Sequence, residues 1–190
     1  GMLDRDLVLV FDLPPDFAGR ARLVRDDDAA IGILTFTAAA SLAAAGPCDV
    51  CLVLDGSGSM SGDAISQSRA ALCAVAEALT DDDRIQVLRF GSTIVPLFRR
   101  PLKASARVRE AMAALADTVN ADLGGTDMDE ALNAAMDALT GMASAEGQTR
   151  AIILVTDGAI QPAEIRDAQA RATKAGIRIF VVAVGSSAGV

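Results

Sequence analysis

Asp55, Ser57 and Ser59 place one carboxylate and two hydroxyls within five residues, with Gly56 and Gly58 between them. They follow directly on the apolar run Val50–Leu54. Oxygen donors of this kind suit a magnesium-like ion, which prefers hard ligands and keeps part of its water shell. Two further pieces lie downstream. Thr126, after Gly124 and Gly125, offers a hydroxyl just ahead of a helical pattern, and Asp157 follows Thr156 at the end of a second apolar run. In an open parallel sheet the loops at the carboxyl ends of the strands gather into one crevice, so the three pieces are expected to meet around one ion. The competing reading makes a serine a helix N-cap and the two aspartates ordinary strand ends. Chance does not easily explain all five positions together.

The elements that must position these residues follow from periodicity. Residues 50–54 are continuously apolar, as expected of a strand covered on both faces. Residues 62–79 carry apolar positions at a helical period, ended by Thr80 and Asp81 to Asp83. Residues 85–90 and 93–98 read as strands joined across Gly91 and Ser92, a hairpin signal. Residues 104–118 and 127–140 are helical, and 151–155 form another buried strand. Pro162 suits the first turn of a helix, where its missing N–H costs little. That helix ends near Gly176, and residues 177–184 make the last strand. Such alternation predicts a mostly parallel sheet flanked by helices, with 93–98 as an antiparallel edge. Upstream, residues 7–13 and 31–37 read as strands and 21–24 as a weaker third, before a small-residue linker over 38–47. The chain thus divides into an N-terminal β extension, residues 1–46, and an α/β domain, residues 47–190.

Asp55, Ser57 and Ser59, then Thr126, then Asp157 resemble the metal-ion-dependent adhesion site of von Willebrand factor A domains, with all five positions in the family's order. Met60 and Gly125 are also similar to the family, and the likeness covers roughly residues 47–184. The resemblance implies a Rossmann-like α/β fold. It also implies that Ser57, Ser59 and Thr126 touch a Mg²⁺ (or Mn²⁺ or Ca²⁺) directly, while Asp55 and Asp157 act through waters or through the hydroxyls. Neutral oxygens leave such an ion under-neutralised, so an Asp or Glu of a protein partner would complete its shell. The backbone N–H groups of the helix start near Ser59 would favour that anion. Asp127 and Asp129, beside the site, are expected to cap and charge the start of the 127–140 helix. The first 45 residues resemble, in pattern alone, the β segment preceding the A domain in inter-alpha-trypsin-inhibitor heavy-chain-like proteins. The family usually continues with a sixth strand and a last helix, whereas this sequence stops at Val190. Either the sequence is a fragment cut short, or the N-terminal strands replace what is missing; an unpaired sheet edge would invite pairing and a homodimer through it.

Composition excludes several functions. The sequence has 190 residues, is 52% hydrophobic and carries a net charge of −8. That charge argues against nucleic acid, whose phosphates need a basic face. No apolar run approaches the ~20 residues of a membrane-spanning helix. No basic region followed by a long apolar stretch marks a signal peptide; if Met2 is the native start the compartment is cytoplasmic, and otherwise export stays open. Histidine is absent, which removes Ser-His-Asp and Cys-His catalysis. Cys48, Cys51 and Cys73 read as small buried hydrophobes, since residues three apart on a strand point to opposite faces. The arginines at 99, 100, 107 and 109, and the triplets Asp26 to Asp28 and Asp81 to Asp83, read as solvated faces and turns.

Three function classes compete. A metal-dependent protein-binding module without catalysis, of an adhesion-like kind, fits the donor set. A subunit or regulator of an AAA+ ATPase, in a chelatase-like assembly, would use the same site to dock an acidic residue. A Mg-dependent enzyme is the third. It lacks the phosphate-loop pattern and an obvious base, and Ser61 stands where a dinucleotide fingerprint needs its third glycine.

Overall fold

The computed structural model describes residues 18–26, 29–37, 46–142, 148–157 and 162–185. The chain forms two compact units, Gly1–Ala45 and Gly46–Val190. In the first, β1 (Ala18–Asp26) pairs antiparallel with β2 (Ala29–Thr37), from Ala18 opposite Thr37 to Asp26 opposite Ala29. The strands expected over 21–24 and 31–37 are thus one hairpin. The strand expected over 7–13 and most of the 38–47 linker lie outside the described residues.

The second unit alternates strand and helix. Its elements are β3 (Cys48–Asp55), α1 (Asp63–Ala78), β4 (Arg84–Phe90), β5 (Ile94–Pro96), β6 (Leu102–Lys103) and α2 (Ala106–Leu115). They are followed by α3 (Met128–Thr140), β7 (Thr149–Thr156), α4 (Pro162–Lys174) and β8 (Ile177–Ala183). The sheet runs β5-β4-β3-β7-β8, with β6 also on β4. β3, β4, β7 and β8 are parallel, and β5 and β6 are antiparallel to β4. The 93–98 strand is shorter than its sequence suggests, and β6 was not foreseen. Leu97 nevertheless continues the edge, its N–H donating to the Val87 carbonyl.

Alternation along each buried strand divides the core into two layers. Val50, Leu52 and Leu54 of β3 and Ile85 and Val87 of β4 pack with Leu72 and Ala76 of α1 and Met112 of α2. Cys51, Val53, Leu88 and Phe90 point the other way, against Ala131, Leu132 and Leu139 of α3 and Ala168 and Ala172 of α4. A strand apolar on both faces therefore sits in the middle of an α/β/α sandwich, as a parallel sheet requires. Burial pushes the Cys51 thiol up to about 12. Cys48 and Cys73 pack half-buried against the opposite layer, and all three cysteines are free.

The polar exceptions sit at the strand ends. At the start of β3, Asp49 is fully buried and accepts from Arg84 Nε and Nη2, both at 2.6 Å, and from Gln148 Nε2 at 2.7 Å. Asp83 corrects the expectation of a solvated triplet. It is buried, and its carboxylate accepts from Cys48 N at 2.8 Å, Thr80 N at 2.7 Å and Thr80 Oγ1 at 2.8 Å, closing the α1–β4 turn onto β3. β8 lies at an edge of the described sheet. Phe180 stays 52% exposed, and Val181 and Val182 are exposed beside it. No described helix is long and apolar enough to cross a membrane.

Candidate metal centre

The strand order creates the site. From β3 the chain moves outward to β4 and β5, then returns to place β7 on the other side of β3. The order reverses between β3 and β7, and a crevice opens there beyond the strands' carboxyl ends. Asp55 ends β3, and Asp157 follows the last residue of β7.

Asp55 is 1% exposed. Its Oδ1 accepts from Ser57 N at 2.9 Å, which tightens the turn after β3. Its Oδ2 accepts from Thr156 Oγ1 at 2.7 Å, which spans the β3–β7 reversal. Both donors are neutral, and among the described residues no Lys or Arg pairs with this carboxylate. A buried anion without a counter-charge is costly.

Ser57 Oγ and Ser59 Oγ lie 3.0 Å apart and hydrogen-bond to each other. Ser57 is buried and Ser59 exposed, so the pair reaches from the turn to solvent. The capping alternative is not realised at Ser57, whose side chain makes no cap bond. The helix start also differs from expectation. One 3₁₀ turn, Gly58–Met60, intervenes, and α1 begins only at Asp63 behind Gly62. The amides near Ser59 therefore belong to the 3₁₀ turn, where Met60 N donates to the Ser57 carbonyl at 3.1 Å.

Thr126 arrives on the loop between α2 and α3, which is stitched to its neighbours by backbone. Leu123 N donates to the Gly56 carbonyl at 2.9 Å, and Gly58 N to the Gly124 carbonyl at 3.0 Å. Ser92 N donates to the Leu123 carbonyl at 2.7 Å, and Gly125 N to Ser92 Oγ at 2.8 Å. Asp127 N donates to the Gly91 carbonyl at 2.9 Å. The loops carrying the serines and the threonine are thus one seam. Thr126 is exposed and Asp157 half-buried. The described hydrogen bonds join Asp55, Ser57, Ser59 and Thr156, and do not link the Thr126 or Asp157 side chains to the serine pair. Asp127 caps α3 by accepting from Glu130 N at 3.3 Å, as expected, and Asp129 accepts from Arg171 Nη2 at 2.5 Å.

Gly91 shows how closely the seam is packed. A Cβ there would lie 2.4 Å from the Leu123 carbonyl oxygen and 2.5 Å from Leu123 Cβ, neither of which can swing away. Gly91→Ala is expected to destabilise the protein by about 2 kcal/mol, as overpacking does. It should also weaken cation binding by displacing the Thr126 loop. Thermal unfolding with a Mn²⁺ titration reads both effects, and a variant matching the parent in both would show that the seam yields freely.

The donor set is chemically consistent with a hard divalent ion. It comprises three hydroxyls and two carboxylates, with Asp55 already shaping the turn that aligns the serines. Sequence reasoning missed the hydroxyls of Thr156 and Ser92. Thr156 lies beside Asp157, but nothing local announces that it bonds to a carboxylate 101 residues away.

Comparison with known proteins agrees with this architecture. The family model described as von Willebrand factor type A domain matches residues 49–189. A von Willebrand factor A domain-containing protein of Dictyostelium discoideum is 27% identical over 136 residues, which is 71% of this chain and 14% of that protein. This chain thus spans only a small part of that relative's length. Among solved structures, an aerotolerance-related membrane protein of Bacteroides fragilis aligns with TM-score 0.62 at 20% identity, over 75% of this chain and 70% of its own. BatB of Bacteroides thetaiotaomicron, a conserved hypothetical protein, aligns with TM-score 0.60 at 20% identity, over 72% and 66%. A von Willebrand factor type A protein of Catenulispora acidiphila aligns with TM-score 0.61 at 22% identity, over 88% and 40%. These structural likenesses speak for the fold alone. With the family model covering 49–189, the chain belongs to the von Willebrand factor type A domain family.

Proposed function

We propose that this domain is a binding module without a catalytic step, which holds one divalent cation of the magnesium class and through it a carboxylate of a protein partner. Ser57, Ser59 and Thr126 would hold the ion through their hydroxyls, and Asp55 and Asp157 would act through waters or hydrogen bonds. The observation that carries this reading is Asp55, a buried carboxylate at the strand-order reversal whose described partners are both neutral. A nearby cation supplies the missing counter-charge. The serine hydroxyls, bonded to each other instead of capping the turn, support the same reading. Family membership adds weight, since such domains commonly bind divalent cations and often serve protein interaction.

The chain's own residues explain why the ion would recruit an acid. The protein oxygens that would touch the ion directly are neutral hydroxyls, which leaves room in its inner shell for an anionic ligand, and Ser59 and Thr126 are exposed, so an incoming carboxylate has a path to it. Calorimetric titration of metal-stripped protein with Mg²⁺ and Mn²⁺, alongside Asp157→Ala, tests the reading. One saturable site, lost or weakened by about 10–100-fold in the variant, is the expected result. Equal binding by both proteins would remove Asp157 from the site, and no binding by either would overturn the reading.

A further inference from the structure

Two arginines outside the five-residue motif converge on the segment just ahead of Gly124, Gly125 and Thr126. Arg69, on α1, donates from Nε to the Val119 carbonyl at 2.9 Å and from Nη2 to Asn120 Oδ1 at 2.9 Å. Arg89, on β4, donates from Nη2 to the Asn120 carbonyl at 2.5 Å and pairs with the Asp122 carboxylate. Arg89 lies on the same face of β4 as Ile85 and Val87, the face that α1 covers. Both cations therefore reach the loop from one side of the sheet.

Val119 anchors the loop in the core, with Ala121 packed against the same cluster, but the backbone around them is held mainly by the arginines. Between the 3₁₀ turn Ala116–Thr118 and the start of α3 at Met128 the loop contains no regular structure. Its backbone seam to Gly56, Gly58, Gly91 and Ser92 begins only at Leu123. The arginines bind the stretch before it, at Val119, Asn120 and Asp122. The Arg89 side chain is only 11% exposed, its Nε is buried without a hydrogen-bond partner, and its described acceptors both lie in this segment. The loop supplies the acceptors for Arg89 Nη2, and the cation fixes the loop. Charge-assisted bonds of this kind are stronger than neutral ones.

We infer that Arg69 and Arg89 are positioning residues which clasp residues 119–122 and thereby set Thr126 at the cation site; the consequence for metal affinity rests on the function proposed above. Neither arginine touches the ion.

The test uses the full chain and two readouts. The first is amide exchange of Leu123, Gly125 and Asp127, with the β3 amides as a control for the fold. The second is Mn²⁺ affinity. In Arg69→Gln/Arg89→Gln the three loop amides should exchange about tenfold faster, the loss of roughly one charge-assisted hydrogen bond, with β3 unchanged. The Mn²⁺ Kd should rise about tenfold. Unchanged loop exchange would overturn the clasp, and so would parent-like Mn²⁺ affinity with a loosened loop. If the parent binds no Mn²⁺, the cation reading fails on its own, and loop exchange still decides the clasp: faster exchange upholds it, unchanged exchange overturns it. If the double variant loses β3 protection, Arg69→Gln, whose arginine is not buried, is read in the same way.

Discussion

Asp55→Asn is expected to lower Mn²⁺ affinity by about 10–100-fold while shifting the stability of the metal-free protein by no more than about 1 kcal/mol. The amide keeps the shape of the carboxylate and can keep both hydrogen bonds. Its oxygen accepts from Ser57 N, and its NH₂ donates to Thr156 Oγ1, because a threonine hydroxyl can accept as readily as it donates. What disappears is the negative charge. If that charge is there for a cation, the loss shows in affinity and spares the fold. Chemical denaturation of metal-free protein and a Mn²⁺ titration separate the two. A variant that binds Mn²⁺ as the parent does, or that unfolds without metal, would mean that Asp55 serves the turn and not an ion.

The motif itself was legible because its parts are local. A carboxylate and two serines alternating with glycines after a β-run define a strand end and a turn from sequence alone. Apolar runs with no alternation announce strands buried on both faces, and they do lie in the middle of the sandwich. What sequence could not display is who pairs with whom across the sheet. Asp83 sits in a run of three aspartates that looks solvated, and only the parallel pairing of β3 with β4 brings Cys48 N to it. Nothing local in the sequence marks Arg69 or Arg89. They become loop ligands because α1 and β4 share one layer and the 119–122 segment crosses it, contacts that span 31 to 51 residues. The 3₁₀ turn before α1 was hidden for a different reason, since glycines and serines over 56–62 suit a turn and a helix start equally well.

Asp49 offers the contrasting case, on the same strand. Asp49→Ala is expected to destabilise the protein by about 3 kcal/mol, the lower end for breaking a buried ion pair. For a chain of this size that is roughly a 10 °C fall in Tm. The carboxylate is fully buried and is gripped by both arms of Arg84 and by Gln148, with Arg150 Nε 3.9 Å away. Its removal withdraws the charge that two arginines share. The lower end applies because the Arg84 side chain keeps 23% of its surface in water, which softens the loss. The carboxylate bond also raises the pKa of Arg84, a side chain that is cationic throughout the working pH range in any case. Mn²⁺ affinity measured well below the lowered Tm should match the parent. Asp49 and Asp55 lie six positions apart along the strand, roughly 20 Å, beyond the range at which substitutions couple. Asp49→Ala/Asp55→Asn should accordingly show the stability of the first and the metal affinity of the second. Departure from that sum would mean that the two ends of β3 communicate, and that the compensated carboxylate at one end helps to set the uncompensated one at the other.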